Sequence, residues 1–510
     1  MLTQSVNRWC VLLAVLLAFL PIVLDMTILH VAIPSLTLAL GASGTEVLWI
    51  IDIYPLLMAS LLIPMGTLAD RVGHRRLLLL GLSIFLAGSV LAAFSPSAVA
   101  LIATRALMAV GAAMAMPCTL AIIRQTFADE RERAMALGIW AAVGSAGAAI
   151  GPLVGGALLE HFWWGSVFLV NLPVMLVVLP LVALYTPRRA IVSNTPWAIG
   201  QAGMLMVGIM ASIYAIKFGF QPGSSAVVTA AILLGGLSML GRFVYLQLHS
   251  PTPVLDVGLF SRPPIAAGVV MALVVMGSLA GVELMLAQEL QFVLGRSPLQ
   301  AGVFMLPLMI GSGIGGPCAG LILRVLGLRT VASLSLLVAA GSLAGLAGSD
   351  FGTASLGVMA MLAALGLSLG IGLTASSVAI MGHTPADKAG SAGALEATSY
   401  DLGTGLGITG FGLLLAGSYG RAIRIPDHIS AEQAEAAARS IGEAFTVARG
   451  LEGVQEGALI SAARLAFSAS HSMVLLTAAA LIAALSVLIF FILSEDGESA
   501  SAPHEHHHGG

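Results

Sequence analysis

The dominant constraint on this chain is a series of apolar stretches, each about 20 residues long, that follow one another from Trp9 almost to the C-terminus. An α-helix of that length crosses a hydrocarbon layer ~30 Å thick. Only 9% of the 510 residues are charged and 58% are hydrophobic, whereas a soluble domain carries about 25% charged residues. Lipid is therefore the expected solvent. With no water there to pair backbone groups, the expected fold class is all-α and membrane-integral. Arg8 ahead of an apolar run suggests a cleaved leader, but the run from Trp9 to Ile33 lacks a small-residue cleavage site at its end and reads as the first span. Cys10, Cys118 and Cys318 lie in or beside apolar runs, without disulfide or metal-ligand spacing, and read as packing residues. A net charge of −3 gives no sign of a nucleic-acid partner.

Fourteen spans are expected, near residues 9–33, 47–68, 77–94, 98–123, 134–159, 165–185, 197–217, 225–246, 264–289, 301–323, 330–347, 355–381, 391–416 and 472–493. Both termini then share one side. Lysine and arginine favour cytoplasmic loops, and with the N-terminus inside, fourteen of the 22 basic residues fall there: Arg8, Arg71, Arg75, Arg76, Arg124, Arg131, Arg133, Arg188, Arg189, Arg242, Arg262, Arg324, Arg329 and Lys388. The short outer loops hold only Lys217 and Arg296. The expected placement has both termini cytoplasmic. The segment from Tyr419 to Ser470 looks soluble. Ser430 and Gln433 have capping-box spacing, and the Ala/Glu-rich stretch after them reads as a helix outside the membrane, either a spacer or a gate. The tail, with His504 and His506 to His508, reads as flexible rather than metal-binding.

A shift of 254 residues places Gly66, Gly73 and Arg75 on Gly320, Gly327 and Arg329, while Asp70 falls on Arg324. Span one then maps onto span nine, and spans seven and eight stay unpaired. The expected organisation is a six-helix half over 1–189, an inserted helix pair over 190–250, a second half over 251–496 that contains an extramembrane insert at 417–471, and a tail at 497–510. Repeated halves with a site at their shared midplane are a transporter pattern.

Between spans two and three, Gly66 and Gly73 permit a tight turn, and Asp70, Arg71 and Arg75 put charges at the cytoplasmic face. An opposite-charge pair there could latch two halves, besides fixing topology. In span five, Gly144, Gly147, Gly151 and Gly155 share one face with Pro152 beside them, a smooth stripe that allows close helix approach or bending. Charges inside a bilayer cost at least ~2.5–3.5 kcal/mol, so those retained are informative. They are Asp25, Asp52, Arg105, Glu283, Glu396 and Asp401: five acids against one base, a surplus that suits a cation and a proton. Glu289 reads as interfacial. Glu396 and Tyr400 share a face, so a carboxylate and a ring could meet one cation. Asp401 points about 140° away and reads as a packing or polar-pairing residue. Trp49, near Asp52 and Tyr54, belongs either to an aromatic belt or to a ligand contact.

Taken in order, LDMTILHVAIPSL (Leu24 to Leu36), GTLADRVGHRR (Gly66 to Arg76), the Arg105 helix, GSAGAAIGPLVGG (Gly144 to Gly156), WGSVFLVNLP (Trp164 to Pro173) and LEATSYDLG (Leu395 to Gly403) resemble the major facilitator superfamily. The likeness covers nearly the whole chain and points to the fourteen-span drug:proton antiporter branch, close to quaternary ammonium and methyl viologen resistance pumps. It implies two six-helix halves plus two extra central helices. It also implies a conformational switch in the Gly66 to Arg76 loop, an antiporter role for the span-five stripe, and a proton-relay or structural role for Arg105. Export and the choice of proton over sodium rest on the resemblance alone.

The function expected is proton-coupled efflux of lipophilic mono- and dications, such as quaternary ammonium compounds, viologens, dyes and biguanides. Competition between drug and protons at Glu396 and Asp25 would drive it, with Asp52, Glu283, Tyr400 and Trp49 also contributing to the site. No cofactor is expected, because no nucleotide loop, zinc motif or nucleophile elbow is present and an ion gradient supplies the energy. The expected partners are small cationic drugs, protons and the lipid bilayer, and the expected state is a monomer. The alternative is a metabolite or siderophore exporter on the same fold.

Overall fold

The computed structural model describes residues 7–186, 199–221, 223–250, 253, 255–353, 355–385, 388–426 and 429–493. Arg188, Arg189 and the tail with its histidines lie outside them. The helices are α1 (Arg8–Leu40), α2 (Gly44–Val72), α3 (His74–Ala93), α4 (Ala98–Thr126), α5 (Glu130–His161), α6 (Ser166–Leu169), α7 (Asn171–Tyr185), α8 (Ile199–Gly219), α9 (Ala226–His249), α10 (Pro263–Gln288), α11 (Pro298–Ala347), α12 (Leu356–Gly382), α13 (Ala389–Ala422), α14 (Ala431–Arg439), α15 (Ile441–Ala448) and α16 (Val454–Ile492). A π-helical turn, Glu289–Val293, continues α10. Among the described residues no strand occurs.

Among the described residues, thirteen helical stretches are long and apolar enough to cross a membrane. One of them, α11, has 50 residues and would measure about 75 Å if straight, more than twice the hydrocarbon thickness. It breaks at Gly327, where φ 74° and ψ 162° are open to glycine but not to a residue with a Cβ, so it supplies two crossings and the total is fourteen. Gly73, 254 residues earlier, separates α2 from α3 with φ 100°. The same offset relates two capping boxes. Ser43 with Glu46 opens α2, and Ser297 with Gln300 opens α11, each hydroxyl accepting from the third backbone N–H while that residue's side chain accepts in return. The internal repeat thus recurs as local backbone geometry.

One large apolar core is built mainly from α1 to α7 and a second mainly from α10 to α16. Between them α2 packs on α13 and α5 on α11, while α8 and α9 pair with each other and α8 leans on α2. The side of the bundle where α1 begins is termed the near face and the side where it ends the far face.

The last helix departs from the sequence expectation of a span starting at 472. It starts at Val454, because 454–471 is an Ala/Leu-rich helical continuation whose Arg464 donates to the Phe292 carbonyl at 3.1 Å. At 39 residues α16 would measure about 58 Å, longer than the ~30 Å hydrocarbon layer, so the helix links the segment 423–453 to the last span. Ser430 caps α14 by accepting from the Gln433 N–H, as the spacing suggests.

This insert ties the far ends of both cores together. Glu443 accepts from the Gly44 N–H at 2.8 Å, at the start of α2, and pairs with Arg439 at 3.0 Å. Arg449 donates to the Leu38 carbonyl at the end of α1, and Tyr419 of α13 donates to the Ala437 carbonyl. Burial pushes the Glu443 carboxyl above the ordinary glutamate range, outweighing the opposing Gly44 and Arg439 contacts. The docked form then holds a proton at pH values where the released segment has lost it, so docking strengthens as pH falls through that range and weakens above it. Hydrogen exchange in 431–448, corrected for intrinsic rates, is expected to slow on acidification from about pH 8 to pH 5. Glu443→Gln should flatten that dependence; a variant with the parent's pH profile would assign it to another group.

Candidate functional site

Helix α13 has to cross two neighbours closely, and its glycines allow it. A Cβ at Gly407 would come within 2.2 Å of Gly277 on α10, and one at Gly412 within 2.3 Å of Leu48 on α2. This crossing brings the ionisable residues of α13 between the two cores. The stripe on α5 packs against α1: a Cβ at Gly144, Gly147, Gly151 or Gly155 would meet Phe19, Leu20, Thr27 or Ile28 respectively. Pro152 beside it turns its carbonyl to Gly302 of α11. The stripe therefore seats α1, while Pro152 meets the other core.

Asp25 is not free. It pairs with Arg105, which also donates through Nε to the Ile50 carbonyl at 3.2 Å and lies 4.7 Å over the Tyr54 ring. Asp25 and Arg105 are each 1% exposed.

Asp52 is held through Oδ2 by Lys217 Nζ at 2.6 Å and by the Thr409 hydroxyl at 2.7 Å. Lys217 is not in an outer loop as its place at the end of an apolar run suggests. It is buried in α8, with its ammonium 3.9 Å from the Trp49 ring. Trp49 thus serves a buried cation rather than only a membrane interface, with Tyr214 beside it at 6.3 Å.

Glu283 accepts from or donates to His30 Nδ1 at 2.7 Å, a contact from α1 to α10 that joins the two cores. Glu289 is buried rather than interfacial, because Ser468 and His471 of the extended α16 cover it at 3.0 and 3.3 Å. His30, His471 and Lys217 are buried bases that the count of one central base omitted. The acidic surplus is correspondingly smaller.

Two α13 acids remain without a basic partner among the described residues. Glu396 accepts from the Tyr400 hydroxyl at 2.5 Å, so the i,i+4 face read from the sequence is present, and both side chains are partly exposed. Asp401 is 6% exposed and makes neither a hydrogen bond nor an ion pair. Its electrostatic neighbour is Tyr54, whose hydroxyl is buried without a partner. Along α13, Glu396 lies about 10 Å and Asp401 about 18 Å from the near end. The paired acids of α1, α2 and α10 all lie in the central or far parts of their helices.

At the near face Asp70 pairs with His74 at 3.2 Å rather than with Arg71, and Gln125 also reaches His74. Arg75 donates to the Ala183 carbonyl of α7. Gly66 faces Pro117, and Gly73 makes the turn. Among the described residues no cluster of three potential metal ligands occurs.

Residues 15–408 match the Major Facilitator Superfamily family model. The chain is 49% identical to the methyl viologen resistance protein SmvA of Salmonella typhimurium over 92% of this chain and 95% of that one. It is 38% identical to the multidrug efflux pump LfrA of Mycolicibacterium smegmatis over 92% and 93%. Among solved structures, a bacterial homologue of the human lysosomal transporter Spinster, inward-facing and unoccupied, superposes with a TM-score of 0.69 at 19% identity, covering 97% of this chain and 99% of that one. That last likeness concerns the fold alone. The chain belongs to the Major Facilitator Superfamily and is a membrane transporter rather than an enzyme.

Proposed function

We propose that the chain is a proton-coupled antiporter that exports lipophilic mono- and dications, among them quaternary ammonium compounds, viologens, cationic dyes and biguanides. The observation that carries this reading is the pair of α13 carboxylates, Glu396 and Asp401, left without a base while the other buried acids of the bundle each have one. The names of the relatives, a methyl viologen resistance protein and a multidrug efflux pump, support drug efflux.

In this proposal a cation enters from the near face and meets the Glu396 carboxylate and the Tyr400 ring, whose joint presentation suits a charge on an apolar body. Asp401, deeper and more enclosed, carries the proton. Neutralising either carboxylate offsets the cost of an unpaired charge in the bilayer, so drug and proton compete for the same electrostatic role. Asp25, clamped by Arg105, positions helices α1, α2 and α4 rather than taking the drug. The halves 1–189 and 251–496 rock about the buried site, with Pro152 and Gly156 of α5 against α11 as the surface between them. The Gly66 to Arg76 loop, engaged with α4 and α7 of its own half, is free to latch in the opposite state. The lysine and arginine bias of the short loops supports a cytoplasmic near face, with the inner membrane of a bacterium as the setting and a monomer as the working unit.

Exporting a dication costs ~2.3 kcal/mol per charge per 100 mV, so at least two protons per cycle are needed to offset it. Two unpaired acids meet that count. The test is ethidium efflux from proteoliposomes under an imposed pH gradient. The parent should pump uphill, and Glu396→Gln should lose most coupled transport while still eluting as a folded monomer. A parent indifferent to the gradient overturns proton coupling, and one indifferent to ethidium overturns the cation reading.

A further inference from the structure

We propose that the chain carries its own cation in a substrate subsite: the Lys217 ammonium on the inserted helix α8 fills a box made by Asp52, Trp49 and Thr409, and an exported organic cation competes with it there. This deepens the proposed function and rests on its cationic cargo.

The box has the chemistry of an organic-cation receptor. Lys217 Nζ touches a carboxylate oxygen at 2.6 Å and the face of an indole at 3.9 Å. Tyr214 extends the aromatic wall, stacked on Phe218 with centroids 6.0 Å apart. Neutralising Asp52 would need only the carboxylate contact. The indole face is the part that a quaternary ammonium or phosphonium could share. Asp52 also keeps one oxygen, Oδ1, buried and unpartnered, so the carboxylate is not saturated by its resident cation.

The placement of Lys217 lets it leave. It lies two residues before the end of α8, and a four-carbon stem there can carry the ammonium out to the far interface. Thr409, on the other side of Asp52, belongs to α13, so separating α13 from α2 uncovers the box toward the far face. A drug cation passing outward would displace Lys217, and the tethered ammonium, returning, would expel the drug. The inserted helix pair, which has no counterpart in the repeat, thereby supplies a releasing group.

A tethered competitor acts at an effective concentration on the order of millimolar, so its removal should tighten cation binding by about tenfold or more. In full-length protein in nanodiscs, Lys217→Gln is expected to lower the Kd for tetraphenylphosphonium by that factor. Lys217→Arg should stay near the parent, and adding Trp49→Leu to Lys217→Gln should reverse the gain. A folded Lys217→Gln with an unchanged or weaker Kd overturns the proposal. If that variant does not fold, the parent serves: saturating tetraphenylphosphonium should increase acylation of the Lys217 amine relative to Lys388, the only other lysine in the sequence. No increase in a parent that binds the probe overturns this subsite alone, whereas a parent that binds no tetraphenylphosphonium overturns the cation reading beneath it.

Discussion

Asp401→Asn is expected to abolish uphill drug transport while leaving drug exchange intact. Asparagine matches the acid in size and polarity but cannot exchange a proton, so the substitution isolates the coupling step. The carboxyl is almost fully enclosed, has no base and no hydrogen bond among the described residues, and faces the electrostatic field of Tyr54. An uncompensated charge in such a place carries a penalty of at least ~2.5–3.5 kcal/mol on insertion scales, which protonation removes. That penalty corresponds to a factor of about 100 in an equilibrium constant, so gradient-driven accumulation of ethidium should fall by roughly that much. Counterflow, in which external and internal drug exchange without net proton movement, should stay within about threefold of the parent, a margin under 1 kcal/mol. Glu396→Gln should lose coupled transport by a different route, a weakened apparent affinity for the drug that lowers counterflow as well, since Glu396 is partly exposed beside Tyr400. Uphill accumulation surviving in Asp401→Asn would move the proton carrier to another residue.

The sequence made part of this arrangement legible for clear physical reasons. Helical periodicity is local, so four residues suffice to place Glu396 and Tyr400 on one face. A positive-φ glycine is also a local demand, and the 254-residue offset between Gly73 and Gly327 therefore survives into the backbone. What stayed hidden depends on contacts between distant helices. Arg105 stands out in the sequence as a charge within an apolar span, but its place opposite Asp25 does not, because α1 and α4 meet only through tertiary packing. Lys217 ends an apolar run, and a lysine there ordinarily extends into water; its burial requires α8 to lean on α2. His30 carries no formal charge in a composition count, yet it bridges the two cores through Glu283. Asp401 points away from Glu396, which suggests a packing or pairing residue, whereas its isolation depends on the tertiary contacts that give Asp25, Asp52, Glu283 and Glu289 their bases.

The second large effect concerns the Asp25 and Arg105 pair, and it separates a structural clamp from a drug-binding acid. Arg105→Ala should be among the most damaging substitutions in the chain, because it strands a buried carboxylate and removes the Ile50 and Tyr54 contacts together. Breaking one side of a buried ion pair costs about 3–5 kcal/mol. The variant is therefore expected to lose folded protein on heating in detergent well before the parent does. Replacing both members with apolar residues of similar bulk, Asp25→Leu with Arg105→Met, removes the stranded charge and its desolvation cost. Such replacements are often neutral or stabilising, so most of the thermal stability should return. The double variant then answers the functional question without the confusion of misfolding. If Asp25 only positions helices, tetraphenylphosphonium binding should stay within about threefold of the parent, a difference under 1 kcal/mol. If binding collapses in a protein that is again thermally stable, Asp25 belongs to the drug site, and Arg105 must release it during each cycle.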